Sequence, residues 1–167
     1  MSQVCVPQDE QERLEALRRY EILDTAAEQV FDDITALTAS VCKTPMCLLT
    51  FVDKDRQWFK SNIGLDVKET SRNISFCAHA ILQHDLFEVP DALVDDRFAR
   101  NPLVMGEPHI RFYAGVPLVT PQGKAVGTLC VIDRVPRELT EEQRGKIRAL
   151  AQSAVLLLEM RRQRPSG

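Results

Sequence analysis

Residues 112–133 read FYAGVPLVTPQGKAVGTLCVID, a stretch that predicts two β-strands joined by one tight turn. Pro121 has the fixed φ favoured at the second position of a type I turn, and Gly123 accepts the left-handed geometry that follows. Strict alternation assigns the return strand to two faces, with Val126, Thr128, Cys130 and Ile132 on one and Ala125, Gly127, Leu129 and Val131 on the other. Both sets are mainly apolar, so we expect this strand to be covered on both sides.

The length and composition predict one domain. The chain has 167 residues and 44% hydrophobic content, and we divide it into a flexible N-terminus at 1–11, a single domain at 12–163 and a tail at 164–167. No run approaches the roughly 18 apolar residues of a membrane span, so we expect a cytoplasmic protein without membrane contact. The net charge of −3 gives no basic field for nucleic acid. Five cysteines without a CxxC pair indicate reduced thiols.

Local signals place the other elements on either side of a long connection. We predict helices at 9–20, 25–43, 76–83 and 141–163, and strands at 46–53, 57–63 and 86–91. Capping boxes at Thr25 with Glu28 and at Thr140 with Gln143 begin the second and last helices. The apolar run at 46–53 predicts a central strand. The connection at 92–109 is expected to be a loop with one helical turn, broken by Asn101-Pro102.

The last helix carries more apolar surface than one sheet face uses. Its core stripe includes Ile147, Ala151 and Leu158, whereas Leu156 and Met160 widen the apolar surface beyond that stripe. The excess predicts that the helix also packs on a partner, which indicates a homodimer.

Six segments resemble GAF domains attached to bacterial histidine kinases and diguanylate cyclases. They are LRRYEILDT (17–25), DRQWFKS (55–61), SFCAHAIL (75–82), NPLV (101–104), HIRFYAGVPL (109–118) and GTLCVID (127–133). The resemblance implies an α+β fold with a central antiparallel β-sheet. It places the N- and C-terminal helices on one face, where they commonly pair into a dimer, and a loop-covered pocket on the other. It also implies a kinase or cyclase as a possible output module.

The resemblance leaves the ligand and any cofactor unknown, because GAF domains bind cyclic nucleotides, bilins, haem or small metabolites. The candidate ligand-binding residues are Phe76, Cys77, His79, His109, Arg111 and Tyr113. His109, Arg111 and Tyr113 alternate on the predicted strand and so would share one face. Their cation, imidazole and phenol could hold a carboxylate or phosphate. Alternatively, Arg111 pairs with Asp91, Asp95 or Asp96 and ties the connection to the sheet.

Four more specific site interpretations have less support. Family bilin sites use a cysteine followed directly by histidine, whereas Ala78 separates Cys77 from His79. A metal held by Cys77, His79, His109 and Cys130 is disfavoured, because positions i and i+2 of a helix do not converge. Free methionine sulfoxide reductases of the GAF type place a cysteine just before the hairpin, where this chain reads EPHIRFYAG. The motif of cyclic-nucleotide GAF domains is absent from the sequence.

We therefore expect a non-enzymatic small-molecule sensor in bacterial signal transduction that signals through paired terminal helices. One alternative is a structural dimerisation module without a ligand. Another is a thiol redox enzyme related to the reductases, acting through Cys77 and Cys130. The sequence is consistent with either a stand-alone sensor or a fragment of a longer regulator.

Overall fold

The computed structural model describes residues 5–163. Residues 1–4 of the predicted flexible terminus, and the predicted tail at 164–167, lie outside this range.

The described chain forms an α+β fold with one sheet. Five helices are present, α1 (Glu10–Arg19), α2 (Gln29–Cys42), α3 (Cys77–Ala80), α4 (Pro102–Met105) and α5 (Glu141–Arg162). Six strands are present, β1 (Met46–Val52), β2 (Arg56–Ile63), β3 (Glu69–Ser71), β4 (Phe87–Val89), β5 (Phe112–Val119) and β6 (Ala125–Asp133). Two 3₁₀ turns cover Arg72–Ile74 and Ala92–Val94.

The strands form an antiparallel sheet in the order β3-β2-β1-β6-β5-β4. The apolar strand β1 lies beside β6 at its centre, as its unbroken hydrophobic run predicts. All nine residues of β6 are buried, which confirms that this strand is covered on both faces. The α+β class and the antiparallel sheet expected from the resemblance are also confirmed.

The hairpin of β5 and β6 contains one feature that strict alternation does not predict. Gly123 adopts φ +83°, as the predicted turn requires. Leu118 pairs with Gly127 and Val119 with Ala125, so Val126 is an extra residue on β6. This β-bulge reverses the alternation, and Val126 packs on the helix face while Ala125 packs on the opposite face. The predicted grouping of Val126 with Thr128, Cys130 and Ile132 is therefore wrong.

The two faces of the sheet have different covers. One core packs the long helices on the sheet through Leu17, Phe31, Leu49, Leu129 and Leu158. The second core packs the segment between β2 and β5 on the other face through Leu48, Phe76, Phe98, Val104 and Ile132. This arrangement confirms helices on one face and a loop-rich cover on the other.

Helix α2 begins later than predicted. Thr25 Oγ1 donates to the carbonyl of Ile22, and the helix begins at Gln29 without a side-chain cap. The Glu28 carboxylate instead pairs with Lys60 Nζ at 2.7 Å and Arg161 Nε at 2.9 Å. The predicted capping box is wrong because tertiary ion pairs occupy this carboxylate. The predicted box at the start of α5 is confirmed, with both reciprocal hydrogen bonds of Thr140 and Gln143 present.

Two short elements in the cover were not predicted. Asn101 caps α4 and Pro102 occupies its first turn, so this dipeptide begins a helix where a break was expected. The three-residue strand β3 pairs with β2 through Thr70 and Gln57. The sequence of β3 has no strand pattern of its own. This segment is a strand only because it pairs with the edge of β2.

Candidate functional site

A cavity of about 420 Å³ lies between the sheet and the cover. Its sheet wall consists of Leu48, Gln57, Phe59, Tyr113, Cys130 and Ile132. Its cover consists of Gly64, Leu65, Val67, Thr70, Phe76, Cys77, Leu103, Pro108 and Ile110. The charged side chains Asp66, Glu107 and Arg134 complete the lining, and all three residues are exposed. The site is a mainly apolar chamber with charges of both signs at its solvent side.

Three of the six candidate residues line this cavity, namely Phe76, Cys77 and Tyr113. Phe76 stacks on Phe98 with ring centroids 4.1 Å apart and lies 5.2 Å from the ring of Tyr113. These buried rings pack together beside α3, and those of Phe76 and Tyr113 form an aromatic part of the cavity wall. Phe59 also lines the cavity, whereas its neighbour Trp58 packs in the helix-side core, as adjacent strand positions require.

His79 lies outside the cavity lining. Its ring makes an edge-on contact with Phe98, with centroids 4.7 Å apart. Burial, and then the charge of Arg97, lower the pKa of His79. Both effects favour the neutral form of this imidazole, which packs behind the aromatic wall.

His109 and Arg111 also lie outside the lining. Both precede β5, which begins at Phe112, so they do not share a strand with Tyr113 as the sequence predicted. His109 has φ +60° and its side chain is 47% exposed. Arg111 donates to the carbonyls of Val104 and Ile110, each at 2.9 Å. Arg111 thus connects α4 to the start of β5 through two carbonyl oxygens. The alternative interpretation from the sequence expects Asp91, Asp95 or Asp96 as its partner.

Cys77 lies at the centre of a buried polar cluster. Its Sγ lies 3.0 Å from Thr128 Oγ1, 3.2 Å from the Tyr113 hydroxyl and 3.5 Å from Thr50 Oγ1. Burial raises the pKa of the Cys77 thiol, but hydrogen bonds with Cys130, Thr128, Thr50 and Tyr113 outweigh burial and lower that pKa. Burial also raises the pKa of Tyr113 well above its usual value. Tyr113 therefore stays protonated and can donate to sulfur.

Gly115 allows Tyr113 to reach this cluster. A Cβ atom at Gly115 would lie 2.4 Å from the Tyr113 hydroxyl and 2.8 Å from its ring carbon Cζ. Only glycine at this position lets the tyrosine ring lie along the strand towards Cys77. The sequence shows this glycine two residues after the tyrosine, on the same face of β5.

Gln57 is a cavity residue that sequence reasoning missed. The residue is 4% exposed, and its Nε2 donates to Thr70 Oγ1 at 2.8 Å. Its Oε1 atom is buried and accepts no hydrogen bond from the described residues. A buried carbonyl oxygen without a donor carries a free-energy cost that a ligand hydrogen bond would remove. No local motif marks this residue, because its role depends on the cavity.

The histidines and cysteines do not assemble a metal site. Within residues 5–163, no group of three or more His, Cys, Asp or Glu side chains is placed to hold a metal ion. In the same range, no helix is both long and apolar enough to cross a membrane.

A family model for the GAF domain matches residues 26–158, so the chain belongs to the GAF domain family. This is a family of signalling sensor domains. A cyclic di-GMP phosphodiesterase from Pseudomonas aeruginosa is 50% identical to the chain over 131 residues. That match covers 78% of this chain and 22% of the relative. The chain therefore spans about a fifth of the length of the curated relative it matches.

Solved structures share the fold at low sequence identity. The GAF domain of a phosphoenolpyruvate-protein phosphotransferase from Coxiella burnetii aligns with a TM-score of 0.68 at 16% identity, covering 91% of this chain and 95% of that one. The chromophore-binding domain of a bacteriophytochrome from R. palustris aligns with a TM-score of 0.66 at 11% identity, covering 93% of this chain and 63% of that one.

One expectation from the sequence is overturned by these comparisons. We expected a protein without enzymatic activity, whereas the relative with 50% identity is named as an enzyme, a cyclic di-GMP phosphodiesterase. The expectation came from the GAF segment alone, and that segment matches only 22% of the relative.

Proposed function

We propose that this chain is the sensory domain of a cyclic di-GMP phosphodiesterase and that a small molecule bound in the cavity regulates the hydrolysis. The support is the 50% identity to a protein with that name. Because the match occupies 22% of the relative, we place the phosphodiester chemistry outside the matched segment. The cavity described above would then receive the regulatory molecule, and cyclic di-GMP would be the substrate of another part of the protein.

The observation that carries the ligand-binding proposal is the carbonyl oxygen of Gln57, which accepts no hydrogen bond from residues 5–163. It lies in a cavity of about 420 Å³ whose other walls are mainly aliphatic and aromatic. Such a chamber suits a mainly apolar molecule with one N–H or O–H group that donates to Gln57 Oε1. Arg134, an exposed cation of the lining, could contact an acidic group on the same molecule.

The cavity cover is connected to the terminal helices by a partly buried ion pair and a hydrogen bond. Arg72 lies just before Phe76 and Cys77, and its guanidinium pairs with Glu10 of α1 at 2.7 Å. The same helix ends at Arg19, and the following Tyr20 donates to Glu159 of α5. Ordering of the cover by a ligand would therefore shift the balance between conformations of α1 and α5.

The helix face supports a homodimer as the signalling form. Helices α2 and α5 run antiparallel, since Arg161 pairs with Glu28 at one end and Gln143 Nε2 donates to the Val41 carbonyl at the other. Four large apolar side chains on these two helices are exposed, namely Val30, Leu37, Leu156 and Met160. A second copy would bury them. Light scattering should report a dimer for the wild type and a monomer for a Leu156→Glu, Met160→Glu double variant.

The alternative without a ligand requires a cavity that the chain's own side chains fill. The cavity of about 420 Å³ between cover and sheet therefore supports the ligand-binding proposal over that alternative.

A blocking variant tests the ligand proposal. Leu65 lines the cavity, and Leu65→Trp would place an indole in it. Leu93 is 49% exposed and lies outside the lining, so Leu93→Trp is the matched control. Each protein is equilibrated with a bacterial metabolite extract, desalted, and analysed by mass spectrometry after denaturation. The wild type and Leu93→Trp should retain a common small molecule that Leu65→Trp lacks. Equal retention by all three proteins, or by none, would contradict a ligand in this cavity.

A further inference from the structure

We propose that Cys77 and Cys130 form a peroxide-reactive thiol pair at the wall of the cavity. A small hydroperoxide would convert the two thiols to a disulfide between α3 and the central strand β6. This proposal needs only the cavity and the two sulfur atoms, and it does not rest on the identity of the regulatory ligand.

Both thiols lie where a small oxidant could meet them. Cys77 is 2% exposed and Cys130 is fully buried, yet both belong to the lining of the cavity of about 420 Å³. Thr128 Oγ1 lies 3.0 Å from Cys77 Sγ, and Cys130 follows Thr128 by two residues on the same face of β6. A hydroperoxide of a few atoms therefore has room beside two sulfurs that line the same cavity.

The surroundings of Cys77 favour its thiolate, which is the nucleophilic form. Three hydroxyl oxygens lie within 3.5 Å of its sulfur, those of Thr128, Tyr113 and Thr50. Thr50 Oγ1 also lies 3.0 Å from Thr128 Oγ1. Thr50 Oγ1 donates to the Cys77 sulfur, and the hydroxyls of Tyr113 and Thr128 can donate to the same atom. Hydrogen bonds to a charged acceptor are stronger than neutral ones, so this arrangement stabilises the anion.

Two other buried cysteines provide an internal comparison. Cys42 and Cys47 belong to the helix-side core and lie outside the cavity lining. Burial raises the pKa of Cys42 to about 11 and raises the pKa of Cys47 further. No side-chain hydrogen bond among residues 5–163 ends on either of their thiols. Thiols in such surroundings are inert, and this difference predicts selective oxidation of Cys77.

The reaction balances with the hydroperoxide as the only oxidant. The Cys77 thiolate attacks the terminal peroxide oxygen, the S–O bond forms, the O–O bond breaks, and the departing alkoxide takes up a proton to become an alcohol. Cys130 sulfur then attacks Cys77 sulfur, the S–S bond forms, and the hydroxyl leaves as water with the Cys130 thiol proton. Two thiols and one hydroperoxide thus give one disulfide, one alcohol and one water. Each sulfur loses one electron, and the peroxide gains two.

The test uses the full chain with Cys5→Ser, because Cys5 is the exposed thiol. The reduced protein is treated with hydrogen peroxide and mapped by mass spectrometry of peptides under non-reducing conditions. We expect one linked peptide that joins Cys77 to Cys130. In Cys130→Ala, dimedone should label a sulfenic acid at Cys77. In Cys77→Ala, peroxide consumption should slow by at least about tenfold.

Two further variants separate reactivity from folding. Tyr113→Phe removes one donor and should slow oxidation about threefold or more, whereas Cys47→Ala should leave the rate unchanged. Fluorescence of the buried Trp58 checks that each variant is folded. The proposal is overturned if Cys42 or Cys47 is oxidised in preference, or if Cys77→Ala consumes peroxide at the wild-type rate. It is also overturned if the folded protein resists peroxide that oxidises the denatured chain.

Discussion

Glu10 provides the most direct test of the connection between the cavity cover and the terminal helices. Its carboxylate accepts hydrogen bonds from Arg13 at 2.8 and 2.9 Å and from Arg72 at 2.7 and 3.0 Å. Arg13 is 1% exposed and Arg72 is 6% exposed. Burial alone would raise the pKa of Glu10, but the hydrogen bonds and charges of the two arginines outweigh it and lower the pKa from 4.5 to about 2.

Glu10→Gln would leave two buried guanidinium groups without their shared anion. Removing one partner of a buried ion pair costs about 3–5 kcal/mol. The Glu10 side chain is 20% exposed, so water would compensate part of that loss. The lowering of the Glu10 pKa from 4.5 to about 2 corresponds to about 3 kcal/mol, which agrees with the cost of removing one partner. We therefore expect the free energy of unfolding to fall by about 2–3 kcal/mol at neutral pH.

The same carboxylate predicts a pH dependence of stability. The folded pKa lies below the unfolded value, so the contribution of Glu10 is complete above pH 4.5. It decreases as the pH falls towards about 2 and is absent at lower pH. The wild type should lose this stability between these two pH values, and Glu10→Gln should lack that part of the loss.

Urea unfolding followed by fluorescence is the appropriate assay, because Trp58 is the single tryptophan and is buried. Glu12→Gln is the matched control, since Glu12 is exposed on the same helix. It should change the free energy of unfolding by less than about 0.5 kcal/mol. If Glu10→Gln is as stable as Glu12→Gln at neutral pH, the ion pair does not hold the cover to α1.

Three other substitutions probe the sheet, the last helix and the cavity. Gly127→Ala should lower the free energy of unfolding by about 3 kcal/mol or more, because the added Cβ would lie 1.9 Å from the Thr50 carbonyl oxygen. An unchanged urea midpoint would refute the close approach of β1 and β6. Gly145→Ala should raise stability by about 0.5–1 kcal/mol in the same assay, since its Cβ meets no atom within 4 Å, and a loss would contradict an open helix face. Gln57→Leu should change stability by less than about 1 kcal/mol, because it removes both a hydrogen bond and an unsatisfied carbonyl. The same variant should lose the retained small molecule, and full retention would exclude Gln57 as the acceptor.

The elements that sequence reasoning located are those with strong local signals. The turn at Pro121 and Gly123, the cap at Thr140 and the apolar run of β1 each depend on residues close together in the chain. Helix α4 also has a local signal, the Asn101 cap followed by Pro102, where a break was expected.

The other features that sequence reasoning missed depend on distant partners. The bulge at Val126 depends on the pairing of β6 with β5. Glu28 does not cap α2, because its carboxylate pairs with Lys60 and Arg161.

The candidate site divides in the same way. Phe76, Cys77 and Tyr113 were selected from segments that resemble the family, and all three line the cavity. Gln57 was not selected, because a glutamine on a partly polar strand carries no signal until the fold leaves its carbonyl oxygen without a donor. The cluster around Cys77 likewise joins residues from β1, α3, β5 and β6.

The sequence by itself determined the antiparallel hairpin and the long helices, because patterning acts between near neighbours. The GAF family followed from the resemblance of six segments to known members. Only the tertiary structure decided which side chains enclose the cavity, which polar atoms in it lack partners and which of the buried cysteines meets hydroxyl donors. Those properties depend on burial and on distances between segments far apart in the chain, and these exist only after the sheet has been covered on both faces.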